Sequence, residues 1–151
     1  MKLLCLIAAM AITSLAADKP NFSGEWKLNM AKSVFGPVPA PTSFTRKITH
    51  AEPSLTLTDD QKGGTGDQSY TRTYTTNGKE IAYQTNGADI KSAATWEGDA
   101  LLIRTHADAG GVTISLADKI TLSSGNKTLT DAVHIVTPQG EIDITFIFDK
   151  Q

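Results

Sequence analysis

Residues 127–150 read KTLTDAVHIVTPQGEIDITFIFDK, two alternating runs on either side of Pro138-Gln139-Gly140. Successive side chains of a strand point to opposite faces, so a period of two marks the side of the sheet that is buried. Leu129, Val133 and Ile135 then share one face of the first run, and Ile142, Ile144, Phe146 and Phe148 share one face of the second. Asp143, Thr145 and Asp149 take the opposite face together with Ile147. Proline and glycine supply the turn between the runs, and the pair reads as a β-hairpin with one apolar side.

The same pattern extends back to Phe22. Alternating segments span Phe22–Asn29, Thr42–Ala51, Ser54–Asp60, Gln68–Thr76, Glu80–Thr85, Ala88–Glu97, Leu101–Ala107, Val112–Ser123, Lys127–Thr137 and Glu141–Asp149. Asn77-Gly78, Asn86-Gly87 and Gly98-Asp99 are two-residue hairpin signals, because Asn and Gly tolerate the positive φ of primed turns. Ser124-Gly125-Asn126 closes the penultimate hairpin. Strands joined so tightly pair antiparallel with their sequence neighbours, and such a meander removes its edges by closing. The predicted fold class is all-β: a single antiparallel up-and-down β-barrel of about eight to ten strands.

One connection is long, from Met30 to Pro41, and Pro37, Pro39 and Pro41 exclude a helix beyond one turn at Met30 to Ser33. It is predicted to cross one mouth of the barrel as an extended loop. Gly63-Gly64-Thr65-Gly66 is predicted as a mobile tip.

Carried through the chain, the alternation places Phe22, Trp26 and Leu28, Phe44 and Ile48, Leu55 and Leu57, Ile81 and Tyr83, and Leu101 and Ile103 inward. Ile90, Ser92, Ala94 and Trp96 share a face, and the two small residues leave space in it. A barrel of this size either fills itself with side chains or holds one small ligand. Three inward positions are polar: Arg72 between Tyr70 and Tyr74, Asp118 between Leu116 and Ile120, and Asp131 between Leu129 and Val133. A buried charge must be paired. Either the three meet inside as a polar site for a ligand head group, or a bulge or barrel end exposes each one, or the strand carrying Arg72 is turned over with Ser69, Thr71, Thr73 and Thr75 inward.

Ahead of the first strand, Lys2, the apolar run Leu3 to Ile12 and the small residues Ser14-Leu15-Ala16 have the order of an export leader. The run is too short to remain as a membrane span. The expected organisation is a leader at 1–17 and one barrel domain at 18–151, in a periplasmic or secreted protein with no stable membrane anchor once the leader is removed. Cys5 is the only cysteine and lies in the leader, so the barrel has no disulfide, thiolate ligand or cysteine nucleophile and depends on packing.

The formal charge of −2 is spread without runs, which excludes the clustered cations that a nucleic-acid partner requires. His50, His106 and His134 fall singly in different strands, so no metal site is indicated. No glycine-rich loop opens a helix, no Gly-x-Ser-x-Gly elbow is present, and no carboxylate pair is singled out. No cofactor and no catalytic residue are assigned.

Phe22-Ser23-Gly24-Glu25-Trp26-Lys27-Leu28 opens the first strand with Gly-x-Trp, and Thr145-Phe146-Ile147-Phe148-Asp149-Lys150 closes the last. With the segment Trp96 to Leu101 and the ten-strand meander, this resembles the lipocalin and fatty-acid-binding protein group, the calycins, and small secreted bacterial proteins with lipocalin-like folds. The resemblance implies that Trp26 closes the bottom of the barrel and that apolar ligands enter at the opposite end. Fatty-acid-binding proteins carry a two-helix lid after the first strand, whereas Met30 to Pro41 is short and proline-rich, closer to a lipocalin loop. The family holds a ligand carboxylate with an Arg and a Tyr of the closing strand, and those positions here are Phe146 and Phe148. A carboxylate buried without that partner is strongly disfavoured.

The function expected is therefore binding of a small, largely apolar, neutral ligand inside the barrel, not catalysis. The candidate interior residues are Trp26, Phe44, Tyr70, Arg72, Tyr74, Tyr83, Trp96, Asp118, Asp131, Phe146 and Phe148. The alternative is an interaction or inhibitor protein that meets a macromolecular partner, of unknown identity, through its rim loops.

Overall fold

The computed structural model describes residues 18–85 and 87–151; the expected leader, and Asn86 of the expected Asn86-Gly87 turn, lie outside them. Ten strands follow one another: β1 Gly24–Leu28, β2 Pro41–Ala51, β3 Ser54–Gly63, β4 Gln68–Thr75, β5 Ile81–Thr85, β6 Ala88–Glu97, β7 Ala100–Ala109, β8 Val112–Leu122, β9 Thr128–Thr137 and β10 Gly140–Lys150. They form one antiparallel sheet in the order β4-β3-β2-β1-β10-β9-β8-β7-β6-β5, an up-and-down meander curled into a nearly closed barrel. The first strand is zipped to the last, with Trp26 opposite Lys150 and Leu28 opposite Phe148.

The barrel stops short of full closure between β4 and β5, which are the two edges of the sheet. The Asn77-Gly78 dipeptide does not make the hairpin expected of it. The backbone there bonds elsewhere: Thr76 donates to the Pro53 carbonyl at 2.8 Å, Gly78 donates to the Ala94 carbonyl at 2.9 Å, and Asn77 bridges Thr95. Chain that is tied to β6 and to the β2–β3 turn cannot fold β5 back onto β4, so local turn chemistry loses to tertiary hydrogen bonds.

The connection between β1 and β2 is a turn at Met30–Lys32 followed by extended chain, anchored where Val34 exchanges two 2.8 Å backbone hydrogen bonds with Thr145. Phe35 and Val38 then face the interior cavity beneath it, as the prolines of this segment predict for a loop across one mouth. The other end is solid. Phe22, Trp26, Leu55, Leu101, Ile120, Leu129 and Phe148 are fully buried, and the Trp26 indole donates to the Phe22 carbonyl at 3.0 Å. Phe22 stacks on Trp96 and His50, and His50 accepts the Phe22 amide and meets Glu52 at 2.8 Å. Gly24 has φ +146, and a Cβ there would come within 2.8 Å of Lys150 Cε, the side chain that lies over the Trp26 ring. The Gly-x-Trp spacing thus lets the last strand lie close over the indole.

Candidate functional site

Alternate residues of β2 face inward: Phe44, Arg46, Ile48 and His50 are buried, and so are Leu55, Leu57 and Asp59 of β3. The strand register sets Arg46 directly opposite Asp59. The guanidinium grips that carboxylate as a fork, Nε to Oδ1 at 2.7 Å and Nη2 to Oδ2 at 2.8 Å, and its Nη1 donates to Asp131 Oδ2 of β9 at 2.7 Å. Tyr70 of β4 donates its hydroxyl to Asp59 Oδ2 at 3.1 Å. Burial alone would lower the Arg46 pKa, but Asp59 and Asp131 raise it well above its ordinary value. Burial and the neighbouring Asp59 likewise raise the Tyr70 phenol.

Beside this triad stands Asp118 of β8, whose neighbour across the β8–β9 ladder is Val133, two residue pairs from Ile120 opposite Asp131 and therefore on the same face. Burial first, and then the Asp131 charge, push the Asp118 carboxyl up to about 8, against the pull of Arg46 and Arg72. Burial also raises Asp131, against the pull of Arg46. Asp131 is hydrogen-bonded to Arg46 and Asp118 is not, so the cation opposes the effect of burial more directly at Asp131 than at Asp118. Asp131 Oδ1 is buried with no hydrogen-bond partner, and so is the hydroxyl of Tyr83. Arg72, half-buried, lies between the rings of Tyr70 and Tyr83, 4.1 and 5.4 Å from their centroids, and pairs with no carboxylate among the described residues. Burial pushes the nearby Tyr74 phenol up to about 12.

These groups divide the interior. On one side a cavity of about 200 Å³ is walled by Tyr74, Tyr83, Thr105 and Arg72 among apolar residues of β6 to β8. On the other, under the mouth loop, a cavity of about 350 Å³ is lined by Phe35, Val38, Phe44, Val133, Ile144 and Phe146. Arg46, Tyr70, Leu116, Asp118 and Asp131 border both. A third, open groove of about 890 Å³ runs along the slot between β4 and β5, and Arg72 and Tyr83 are among the residues that line it. The arrangement offers an apolar compartment, a polar partition and a smaller chamber beyond, which is the makeup of a site that binds and orients a small molecule.

Of the residues singled out in the sequence, Phe44, Tyr70, Arg72, Tyr74, Tyr83, Asp118, Asp131 and Phe146 border one or both cavities. Trp26, Trp96 and Phe148 border neither: Trp26 and Phe148 lie in the packed core, and Trp96 lies against Phe22 at the closed end. The β4 faces are not reversed. Thr71 and Thr73 point outward and pair with Thr58 and Thr56 on the exposed side, each at 3.0 Å. Arg46 and Asp59, the centre of the ion cluster, were not singled out. Their signal was the one used for the other three: Arg46 continues the row of Phe44 and Ile48, and Asp59 that of Leu55 and Leu57.

No family model matches the chain, and no curated protein matches it. Solved structures do. The ileal bile acid-binding protein of zebrafish, in complex with cholic acid, superposes with a TM-score of 0.62 at 16% identity, covering 86% of this chain and 98% of its own. In fold, the chain is similar to the fatty-acid-binding proteins. The Schistosoma mansoni fatty acid binding protein in complex with arachidonic acid gives a TM-score of 0.54 at 12% identity, over 86% of this chain and 96% of that one. A secretory abundant heat soluble protein of Ramazzottius varieornatus gives 0.63 at 13% identity, over 85% and 94%.

Proposed function

We propose that this protein binds a small, largely apolar, uncharged molecule inside its barrel. One observation carries the reading: under the mouth loop the interior is a cavity of about 350 Å³ with mainly apolar walls, and beyond the polar partition a smaller chamber of about 200 Å³ remains, while the closed end is filled by side chains. Such a volume is within the usual range of small-molecule sites, roughly 300–1,000 Å³. The similar structures that carry a lipid or bile acid support an interior binding role over a catalytic one. Their ligands are acids; here Phe146 and Phe148 stand in the closing strand, and the Arg46 guanidinium is already hydrogen-bonded to both Asp59 and Asp131, which favours an uncharged guest.

The test is retention. The purified protein is incubated with a lipid extract, re-isolated and analysed by mass spectrometry. An apolar compound should be retained in stoichiometric amount, and Ile135→Trp, which fills the compartment from its β9 wall, should lose it. A protein that returns empty from every extract, with an unchanged fold, contradicts the reading.

A second reading has its own observation. Met30 and Val34 of the mouth loop are 41% and 60% exposed, large apolar side chains displayed at the rim. A protein partner gripping this loop would lose its hold on replacement of both by serine, with interior binding intact; capture that persists in that variant counts against it. The leader-like order of residues 1–17 supports export for either role.

A further inference from the structure

Five charged or chargeable groups line the smaller cavity, Arg46 on β2, Asp59 on β3, Arg72 on β4, Asp118 on β8 and Asp131 on β9, and Arg46, Asp118 and Asp131 border the larger one as well. The tyrosines Tyr70 and Tyr74 of β4 and Tyr83 of β5 complete the titratable set, and β7 contributes only the neutral Thr105. Three of the five N–H donors of Arg46 go to Asp59 and Asp131, and both oxygens of Asp59 accept hydrogen bonds, from Arg46 and Tyr70. Two acidic groups keep capacity to spare: Asp118 borders both cavities and makes no hydrogen bond with another side chain among the described residues, and the buried Oδ1 of Asp131 is an acceptor that lacks a donor.

Resting on the interior-binding reading, we propose that this pair selects amphiphiles with an uncharged hydroxyl head: the hydroxyl oxygen accepts a hydrogen bond from the Asp118 carboxyl, its O–H donates to Asp131 Oδ1, and the tail lies in the apolar compartment. The charges argue for the neutral head. With Asp118 protonated, the guanidiniums of Arg46 and Arg72 balance the carboxylates of Asp59 and Asp131. A ligand carboxylate would add a further anion beside Asp118 and Asp131, where the charges of Arg46 and Arg72 are already matched by those of Asp59 and Asp131. A ligand ammonium would be set against Arg46 and Arg72 unless Asp118 gave up its proton. A hydroxyl is both donor and acceptor and meets a carboxylic acid and a carboxylate together without changing the charge.

The pH dependence has a definite sign. Asp118 titrates near 8, well above an ordinary carboxyl, so the donor is present below that pH and lost above it. Binding of an alcohol therefore weakens as pH rises through this range, whereas an amine would gain.

Calorimetric titration with decanol, decanoate and decylammonium, which share a tail and differ in the head, tests the proposal. At about pH 6 decanol should bind at least about tenfold more tightly than either ion, and its affinity should fall about tenfold by about pH 9.5. Asp118→Leu should abolish the preference for the alcohol while the tail still binds. Asp118→Asn, which keeps an N–H donor that does not titrate, should restore the preference relative to the leucine variant and remove the fall with pH. Equal binding of all three heads, a preference for either ion, or decanol affinity that is the same at both pH values overturns the head-group assignment and leaves interior binding standing. Failure of all three to bind overturns both.

Discussion

Phe148 and Phe146 sit two residues apart on the same face of β10, yet they belong to different worlds. Phe148 is fully buried at the seam with β1, where Leu28 stands opposite it, and its ring meets Phe44 edge-on at a 5.0 Å centroid separation. Phe146 is only partly buried and forms a wall of the cavity under the mouth loop, with Phe35 and Phe44 edge-on at 6.0 and 5.5 Å. One inward row thus runs from a solid end into a hollow one. The boundary is the Arg46 cluster, whose guanidinium lies 5.1 Å from the Phe148 ring. The lesson is that alternation tells which side of a strand is inside, whereas what fills the inside depends on residues that come from across the barrel.

The largest effect is expected at the boundary itself. Arg46→Ala strips the partner from Asp59 and Asp131 at once, and leaving buried carboxylates unpaired costs about 3–5 kcal/mol. Denaturant titration at neutral pH should show that loss, and part of it should return in acid, where the carboxylates protonate. An Arg46→Ala protein as stable as the parent would mean that the cluster is wet and the division of the barrel is false.

Next comes the contrast between the two phenylalanines. Phe148→Ala should cost about 3–5 kcal/mol, the usual loss for a buried aromatic, and Phe146→Ala at most about half as much, because its ring already borders empty space. Equal losses on chemical denaturation would erase the distinction between the ends.

Smaller again is the effect of Asp118→Asn on stability. The folded-state pKa of this carboxyl lies above its unfolded value, so its contribution to stability falls as pH rises from the ordinary carboxylate range to about 8. The amide removes that dependence. Melting midpoints should coincide for parent and variant near pH 4 and favour the variant near pH 9; a variant less stable than the parent at the higher pH would contradict the burial assigned to Asp118. The smallest change is Tyr83→Phe, which deletes a buried hydroxyl that lacks a partner and should leave stability within about 1 kcal/mol, on the stabilising side.

The barrel was legible because its evidence is local. Period-two runs and Gly-containing turns recur along the chain, and the hairpins at Gly98-Asp99, Ser124-Gly125-Asn126 and Pro138-Gln139-Gly140 join strands that pair as expected. Arg72, Asp118 and Asp131 stood out because each interrupts an apolar row. The slot between β4 and β5 was not legible, since Asn77-Gly78 carries a strong local hairpin signal and is overruled by bonds to Pro53 and Ala94 that lie far away in sequence or depend on tertiary placement. The Arg46–Asp59–Asp131 triad was hidden for a related reason. Each member can be read as inward, but that one guanidinium satisfies two carboxylates follows only from the register of β2 on β3 and the curvature that brings β9 within reach.

The claim that the compartment under the mouth loop is hollow and receptive is tested most directly by methyl NMR of the protein titrated with decanol. The account predicts shifts for the methyl groups of Val133, Ile135 and Ile144, which line the cavity, and none for Leu55, Leu101 and Leu129 in the packed end. Shifts confined to exposed methyls such as those of Val34 and Val112, with the cavity-lining residues unmoved, would show that the interior takes up nothing and that the division drawn here has no functional meaning.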